Sequence, residues 1–142
     1  MTENRLPEAQ RMFPFLYVDD VTAYLDFLQR AFAFETRIHE VDPADPEHVH
    51  AEAGFADALV MIGHAAPKWG TSSPRRLPAL HAGTYVLVDD ADAHCRRARA
   101  AGAIIESEPA DKPWGHRMYT ARRSRRASVV FRVEDRCRLT AR

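Results

Sequence analysis

Tyr17-Val18-Asp19-Asp20-Val21-Thr22-Ala23 returns seventy residues later as Leu87-Val88-Asp89-Asp90-Ala91-Asp92-Ala93. Beyond this corner the apolar positions keep step: Val21, Tyr24, Leu25, Leu28 and Phe32 fall opposite Ala91, His94, Cys95, Ala98 and Gly102. Each copy runs from an apolar strand, through the Asp-Asp corner, into an amphipathic helix and out into a second strand. Asp19 or Asp20 can cap the first helix, because a carboxylate there accepts free backbone N–H groups and suits the positive helix end. A duplicated unit too small to bury its own core packs against its twin, and the seam between twins is the natural place for a pocket.

Working outward, residues 12–18 read as a strand that Pro14 confines to a sheet edge. Residues 34–40 resemble a second strand, and 41–46 a turn built on Pro43 and Pro46. Residues 48–54 and 58–63 read as a hairpin. A long Gly- and Pro-rich connection over 63–82 separates the copies, longer than a compact domain usually carries without a purpose. The second copy places strands at 83–88, 103–108, 116–121 and 128–133, with a loop over 108–115 and a helix ending at Ala101-Gly102. The order is βαβββ twice, with modules over about 12–62 and about 83–133. The expected class is α+β: two tandem βαβββ modules forming curved mixed sheets with helices on the outer face, in one domain spanning 1–142. Strand alternation turns Val18 and Val88 toward the helices, and Phe13, Phe15, Tyr17, Tyr85 and Leu87 toward a concavity.

Composition narrows the functional classes. A chain of 142 residues buries roughly two thirds of its unfolded surface and needs no metal or disulfide staple. No apolar run approaches the roughly 18 residues of a membrane span. Met1-Thr2-Glu3-Asn4-Arg5 lacks the apolar core of a signal peptide, so a cytoplasmic address and no membrane partner are expected. Cys95 and Cys137 form no framework or ligand cluster; Cys95 reads as a small buried hydrophobe. The net charge of zero hides an asymmetry: residues 1–116 carry 11 basic and 18 acidic groups, and residues 117–142 carry 9 arginines against Glu134 and Asp135. Nucleophile elbows and phosphate-cradling Gly-rich loops are absent.

The paired modules with a V-D-D-x-x-A corner, together with Pro113-Trp114-Gly115-His116-Arg117-Met118-Tyr119-Thr120, resemble the glyoxalase / bleomycin-resistance / extradiol-dioxygenase (vicinal oxygen chelate) superfamily, in its bleomycin-resistance-like branch. The likeness covers residues 12–121. It implies a homodimer whose curved sheets cradle a small ligand. It also implies, for the enzymes, one divalent metal held by His and Glu on four strands. Carried onto this chain, the first three ligand positions fall on Phe13, near Met61 and on Gly83, none of which serves such a cation as His and Glu do. No metal and no cofactor are therefore expected. The reading that follows is a metal-free binding protein for a planar or amphipathic organic compound such as an antibiotic. The alternative is a metal-dependent lyase, isomerase or dioxygenase, and a weaker third is a dimeric scaffold with no small ligand.

After Arg122 the chain leaves the family pattern. One set of codons for residues 123–131, read one base later, gives Asp-Leu-Glu-Gly-His-Arg-Trp-Ser, the usual family ending, so a displaced frame from about residue 123 is expected. Sequencing the coding DNA decides it. On that reading the arginine tail carries no nucleic-acid function, and even the restored frame puts Ser at the fourth ligand position.

The expected ligand-binding set is Phe13, Phe15, Met61, Trp69, Tyr85, Trp114, His116 and Tyr119, an aromatic wall with few charges. Trp69 and Trp114 sit in loops, where large rings either stack on a flat ligand or close a dimer seam. His48 and His50 share a strand face with Glu52, an arrangement open to zinc but read here as a solvated face. His64 and His81 flank the long connection as surface groups or ligand-contact donors. His94 replaces Tyr24 on the helix and is expected to be structural.

Overall fold

Side-chain alternation builds both sheets. The computed structural model describes residues 9–79, 82–124 and 130–135. β1 (Phe15–Val18) leads into α1 (Val21–Phe32), followed by β2 (Glu35–Asp42), β3 (Asp45–Phe55) and β4 (Ala58–His64). β1 runs parallel to β4 while β4, β3 and β2 are antiparallel neighbours, giving the order β1-β4-β3-β2. The second module repeats this with β5 (Gly83–Val88), α2 (Ala91–Ala100), β6 (Ile104–Asp111), β7 (Arg117–Arg122) and β8 (Val130–Asp135), ordered β5-β8-β7-β6. The α+β class and the tandem βαβββ modules read from the sequence are thus what the chain adopts, as two open four-stranded mixed sheets. The chain divides into two compact units. The first runs to Ser73 without Arg30–Phe32; the second takes Arg30–Phe32 and resumes at Pro74. The division falls inside the long connection, whose residues form two 3₁₀ turns, Pro67–Trp69 and Pro74–Arg76.

Both helices start alike. The Asp20 carboxylate accepts from Ala23 N and that of Asp90 from Ala93 N, each at 2.9 Å, so the second Asp of each corner is the cap. In the first unit, Val21, Tyr24, Leu25 and Leu28 of α1 are buried, as are Val18, Ala51, Ala53 and Ile62 of the strands. Phe15 and Tyr17, on the opposite side of β1, stay exposed. In the second unit, Val86, Val88, Ala121, Phe131 and Val133 are buried with Ala91, Cys95 and Ala98 of α2, while Tyr85 and Leu87 are exposed. Arg117 of β7 clamps Asp92 of α2 with two hydrogen bonds of 2.6 and 3.0 Å. This fixes the helix over the sheet with a bidentate fork.

His94 is structural, as its position on the helix implied. Its ring stacks on Phe32 at 5.6 Å, and the Phe32 carbonyl, which only accepts, requires Nε2 to donate. Nδ1 then accepts from the Tyr119 hydroxyl at 2.6 Å. Burial pushes the His94 pKa down, which keeps the ring neutral in this role.

Several boundaries differ from expectation. Pro43 and Ala44 alone make the first turn, because β2 extends to Asp42 and β3 starts at Asp45. β6 runs to Asp111 through Pro109, where a loop was expected. It is an edge strand with an irregular register between Ser107 and Ala110, so a missing N–H there breaks no ladder. Of the tail from residue 123, the segment 130–135 forms β8 between β5 and β7; residues 125–129 and 136–142 lie outside the described set, as does His81.

Candidate ligand-binding site

Register assembles the open face of the first sheet. Phe15, Met61 and Glu52 form one row across β1, β4 and β3, and Tyr17, Gly63 and His50 form the next. Gly63 leaves a gap in its row that the Phe15 ring covers, since a Cβ at position 63 would meet Phe15 Cε1 at 2.8 Å. Over these rows lies a pocket of about 540 Å³ walled mainly by Phe15, Tyr17, His48, His50, His64 and Trp69. The rings are mutually arranged: Phe15 and Tyr17 are 5.0 Å apart, and Phe15 and His50 6.4 Å.

Trp69 reaches the pocket through a pinned turn. Pro67 opens the 3₁₀ turn, and Gly70 closes it at φ 68°. The Thr71 hydroxyl accepts from Ala66 N at 2.9 Å. Lys68 bridges Asp45 at 2.7 Å and Glu47 at 2.8 Å on β3, and its ammonium lies 4.7 Å from the centre of the Trp69 ring. His48 meets the same indole edge-on at 5.7 Å. The hydrogen bond from Lys68 holds the Asp45 carboxyl below its ordinary range, and Asp45 in turn raises Lys68. Asp42 is lowered first by the Ala44 backbone N–H and then by His48, which it faces at 3.3 Å. Behind the pocket wall, His50 Nε2 stands 3.0 Å from Oε1 of the buried Glu52.

A second cluster lies on the second sheet. The Glu134 carboxylate of β8 accepts from the Tyr85 hydroxyl, from His116 Nδ1, and from Trp114 Nε1 at 3.3 Å. Burial pushes the Glu134 pKa up, but the three donors outweigh it and hold the carboxyl below its ordinary value. Desolvation first, then the hydrogen bond to Glu134 and that carboxylate's charge, pushes the Tyr85 phenol up to about 12.

The eight residues singled out from the sequence therefore separate. Phe15 and Trp69 wall the pocket, with Met61 between Phe15 and Glu52 in register. Phe13 precedes β1 and is half-buried. Tyr85, Trp114 and His116 meet on Glu134. Tyr119 departs from the expected open wall: it is fully buried against His94, because odd positions of β7 face α2. Sequence reasoning did not single out Glu134, which sits in the tail it discounted; it read His48 and His50 as a solvated face, and both remain open to solvent while also lining the pocket. Their i, i+2 spacing, with Glu52 next in step, was the available signal.

The residues at the positions carried over for a metal do not fit one. Phe13 offers no donor and Met61 a soft thioether, and at Gly83 even a Cβ would stand 3.1 Å from the Val130 carbonyl. Among the described residues no group of three or more His, Cys, Asp or Glu side chains is placed to hold an ion. No helix among them is long and apolar enough to cross a membrane.

Comparison with known proteins agrees with this architecture. The sequence profile of the Glyoxalase/Bleomycin resistance protein/Dioxygenase superfamily matches residues 10–138. The chain belongs to this superfamily. The Mycobacterium bovis protein Mb0911c is 31% identical over 107 residues, covering 73% of this chain and 70% of that one. The matching stretch is 62% of Mycobacterium tuberculosis Rv0887c, so the chain spans less than two thirds of that relative. The crystal structure of TioX from Micromonospora sp. ML1 superposes with a TM-score of 0.68 at 26% identity, over 89% of this chain and 98% of TioX. Glyoxalase I from Zea mays superposes with a TM-score of 0.63 at 17% identity, over 86% of this chain and 43% of that enzyme, which shows a shared fold alone.

Proposed function

We propose that this superfamily member binds a planar or amphipathic organic molecule in the pocket of its first module and sequesters it without a metal. The supporting observation is the pocket itself: about 540 Å³, with rings on its walls and a tryptophan held over it by an ion-paired turn. That volume lies in the usual range of small-molecule sites, on the order of 300–1,000 Å³, and the mixture of rings with polar groups from Asp45, His48, His50, His64 and Thr71 suits a flat ligand that also carries polar substituents. Each well-placed ring pair adds roughly 0.5–1.5 kcal/mol beyond area burial. The exposed Tyr85 and Leu87 support a homodimer, which light scattering in solution checks.

The test is a thermal-shift screen of planar antibiotics and aromatic metabolites, followed by calorimetric titration of hits into wild type and variants. A compound present at about 100 times its Kd stabilises the native state by about 2.7 kcal/mol. Trp69→Ala is expected to weaken a hit about tenfold, the loss of one ring contact, while Trp114→Ala leaves it nearly unchanged. Hits that depend on Trp114 and ignore Trp69 would move the site to the second module.

A further inference from the structure

We infer that His50 and Glu52 form a proton-accepting dyad in the first-module pocket, with His50 Nδ1 taking the hydrogen of a ring-borne hydroxyl, phenolic or enolic, on the bound molecule. This rests on the pocket being a ligand site, as proposed above, and specifies what that ligand carries. Glu52 is the positioning residue and His50 the group that touches the ligand.

Strand alternation puts both side chains on one face of β3, in register with Gly63 and Met61 of β4. An ionised carboxylate only accepts, so the 3.0 Å contact between His50 Nε2 and Glu52 Oε1 requires Nε2 to carry the hydrogen. In the neutral ring Nδ1 is then the acceptor. The side chain of His50 is 39% exposed and lines the pocket, whereas that of Glu52 is 5% exposed behind it. The imidazole is therefore reachable from the pocket and the carboxylate is not.

The second oxygen of Glu52 makes this more than a strand-face contact. Oε2 is buried and has no hydrogen-bond partner among the described residues. A buried carboxylate with half its acceptor capacity unused is costly, and an apolar side chain would serve the sheet better. The charge has a use when His50 takes a proton: the imidazolium then faces a desolvated anion, where attraction is far stronger than in water. In that step the ligand O–H bond breaks, the Nδ1–H bond forms, and the electron pair stays on the ligand oxygen. Nothing is oxidised or reduced. Phe15 at 6.4 Å from His50, and Tyr17 across the Gly63 gap, supply the flat surface for the ring bearing that hydroxyl. His48, by contrast, is turned to the exposed Asp42.

The probes are 4-nitrophenol and its methyl ether 4-nitroanisole, matched in ring but differing in the hydrogen, titrated into the full chain. The wild type is expected to prefer the phenol about tenfold, with the phenolate absorption band appearing at a pH where the free probe is protonated. Glu52→Gln keeps the shape of the wall, and it should lose both the band and the preference, read as the ratio of phenol to ether affinity within the same variant. His50→Phe should do the same, and it preserves the test if the Gln variant fails to fold. Equal binding of the two probes by the wild type, with no band, overturns the dyad and leaves the pocket reading standing. Retention of the preference by a folded Glu52→Gln variant overturns the role of Glu52. If neither probe binds while screened compounds still act through Trp69, the hydroxyl preference is wrong; loss of every Trp69-dependent hit is instead the failure of the pocket reading.

Discussion

Single residues set the shape of the pocket and the charge of the second cluster. Gly63 is where a side chain is missing for a geometric reason, since a methyl there collides with the Phe15 ring. Phe15 is exposed enough to swing away, so Gly63→Ala is expected to cost less than about 1 kcal/mol of stability. It should still weaken ligand binding, because the displaced ring leaves the wall; melting temperature and Kd measured together separate the two effects. Glu134 makes a pH prediction. Its carboxyl is held below its ordinary value of 4.5 in the folded protein, so the fold favours the ionised form. The stabilisation is complete at neutral pH and is lost as pH falls from 4.5 through the lower folded value. Urea midpoints across that range should therefore show wild type above Glu134→Gln at neutral pH, with the gap closing in acid. Residue-scale legibility was uneven for a physical reason. Alternation placed Phe15 and Tyr85 on open faces from sequence alone, but Tyr119 was assigned by proximity to the loop, and its partner His94 on α2 is a contact between distant stretches.

Elements were read better than their ends. The helices and all strand positions follow from the period switch at each Asp-Asp corner, since 3.6-residue and two-residue patterns cannot be exchanged. Ends depend on local chemistry that proline and turn rules handle loosely: Pro109 reads as a loop in isolation and sits comfortably in an edge strand once β6 has only one neighbour. The corners illustrate the finer point. Two adjacent aspartates compete for each cap, and only geometry shows that Asp20 and Asp90 hold it. Asp90→Ala is expected to destabilise the protein by about 1 kcal/mol, and Asp89→Ala by clearly less. Denaturant unfolding of the two variants checks this, and equal losses would mean that charge at the helix end, rather than the cap hydrogen bond, carries the effect.

At the scale of the whole chain, superfamily membership and the lack of His or Glu donors at Phe13, Met61 and Gly83 pull in different directions. The fold is shared with glyoxalase I, yet fold does not fix chemistry; the donor set does. Phe13, Met61 and Gly83 stand where the resemblance implies His and Glu, and this was legible in the sequence because the Asp-Asp corner gives a fixed origin for counting. What counting along the chain did not convey was where polar chemistry had gone instead: to His50 and Glu52 on β3, and to Glu134 on β8, rows that form only when strands pair. The purified full chain, dialysed against zinc, nickel, iron or manganese and then against buffer, is accordingly expected to retain substoichiometric metal by elemental analysis. On the proposed metal-free reading, a chelator should change neither its melting temperature nor its binding of a Trp69-dependent ligand. One tightly held equivalent of metal, with a melting temperature that falls on chelation, would show that side chains other than those at the counted positions build a coordination sphere, and would return the protein to the metal-dependent enzymes of its superfamily.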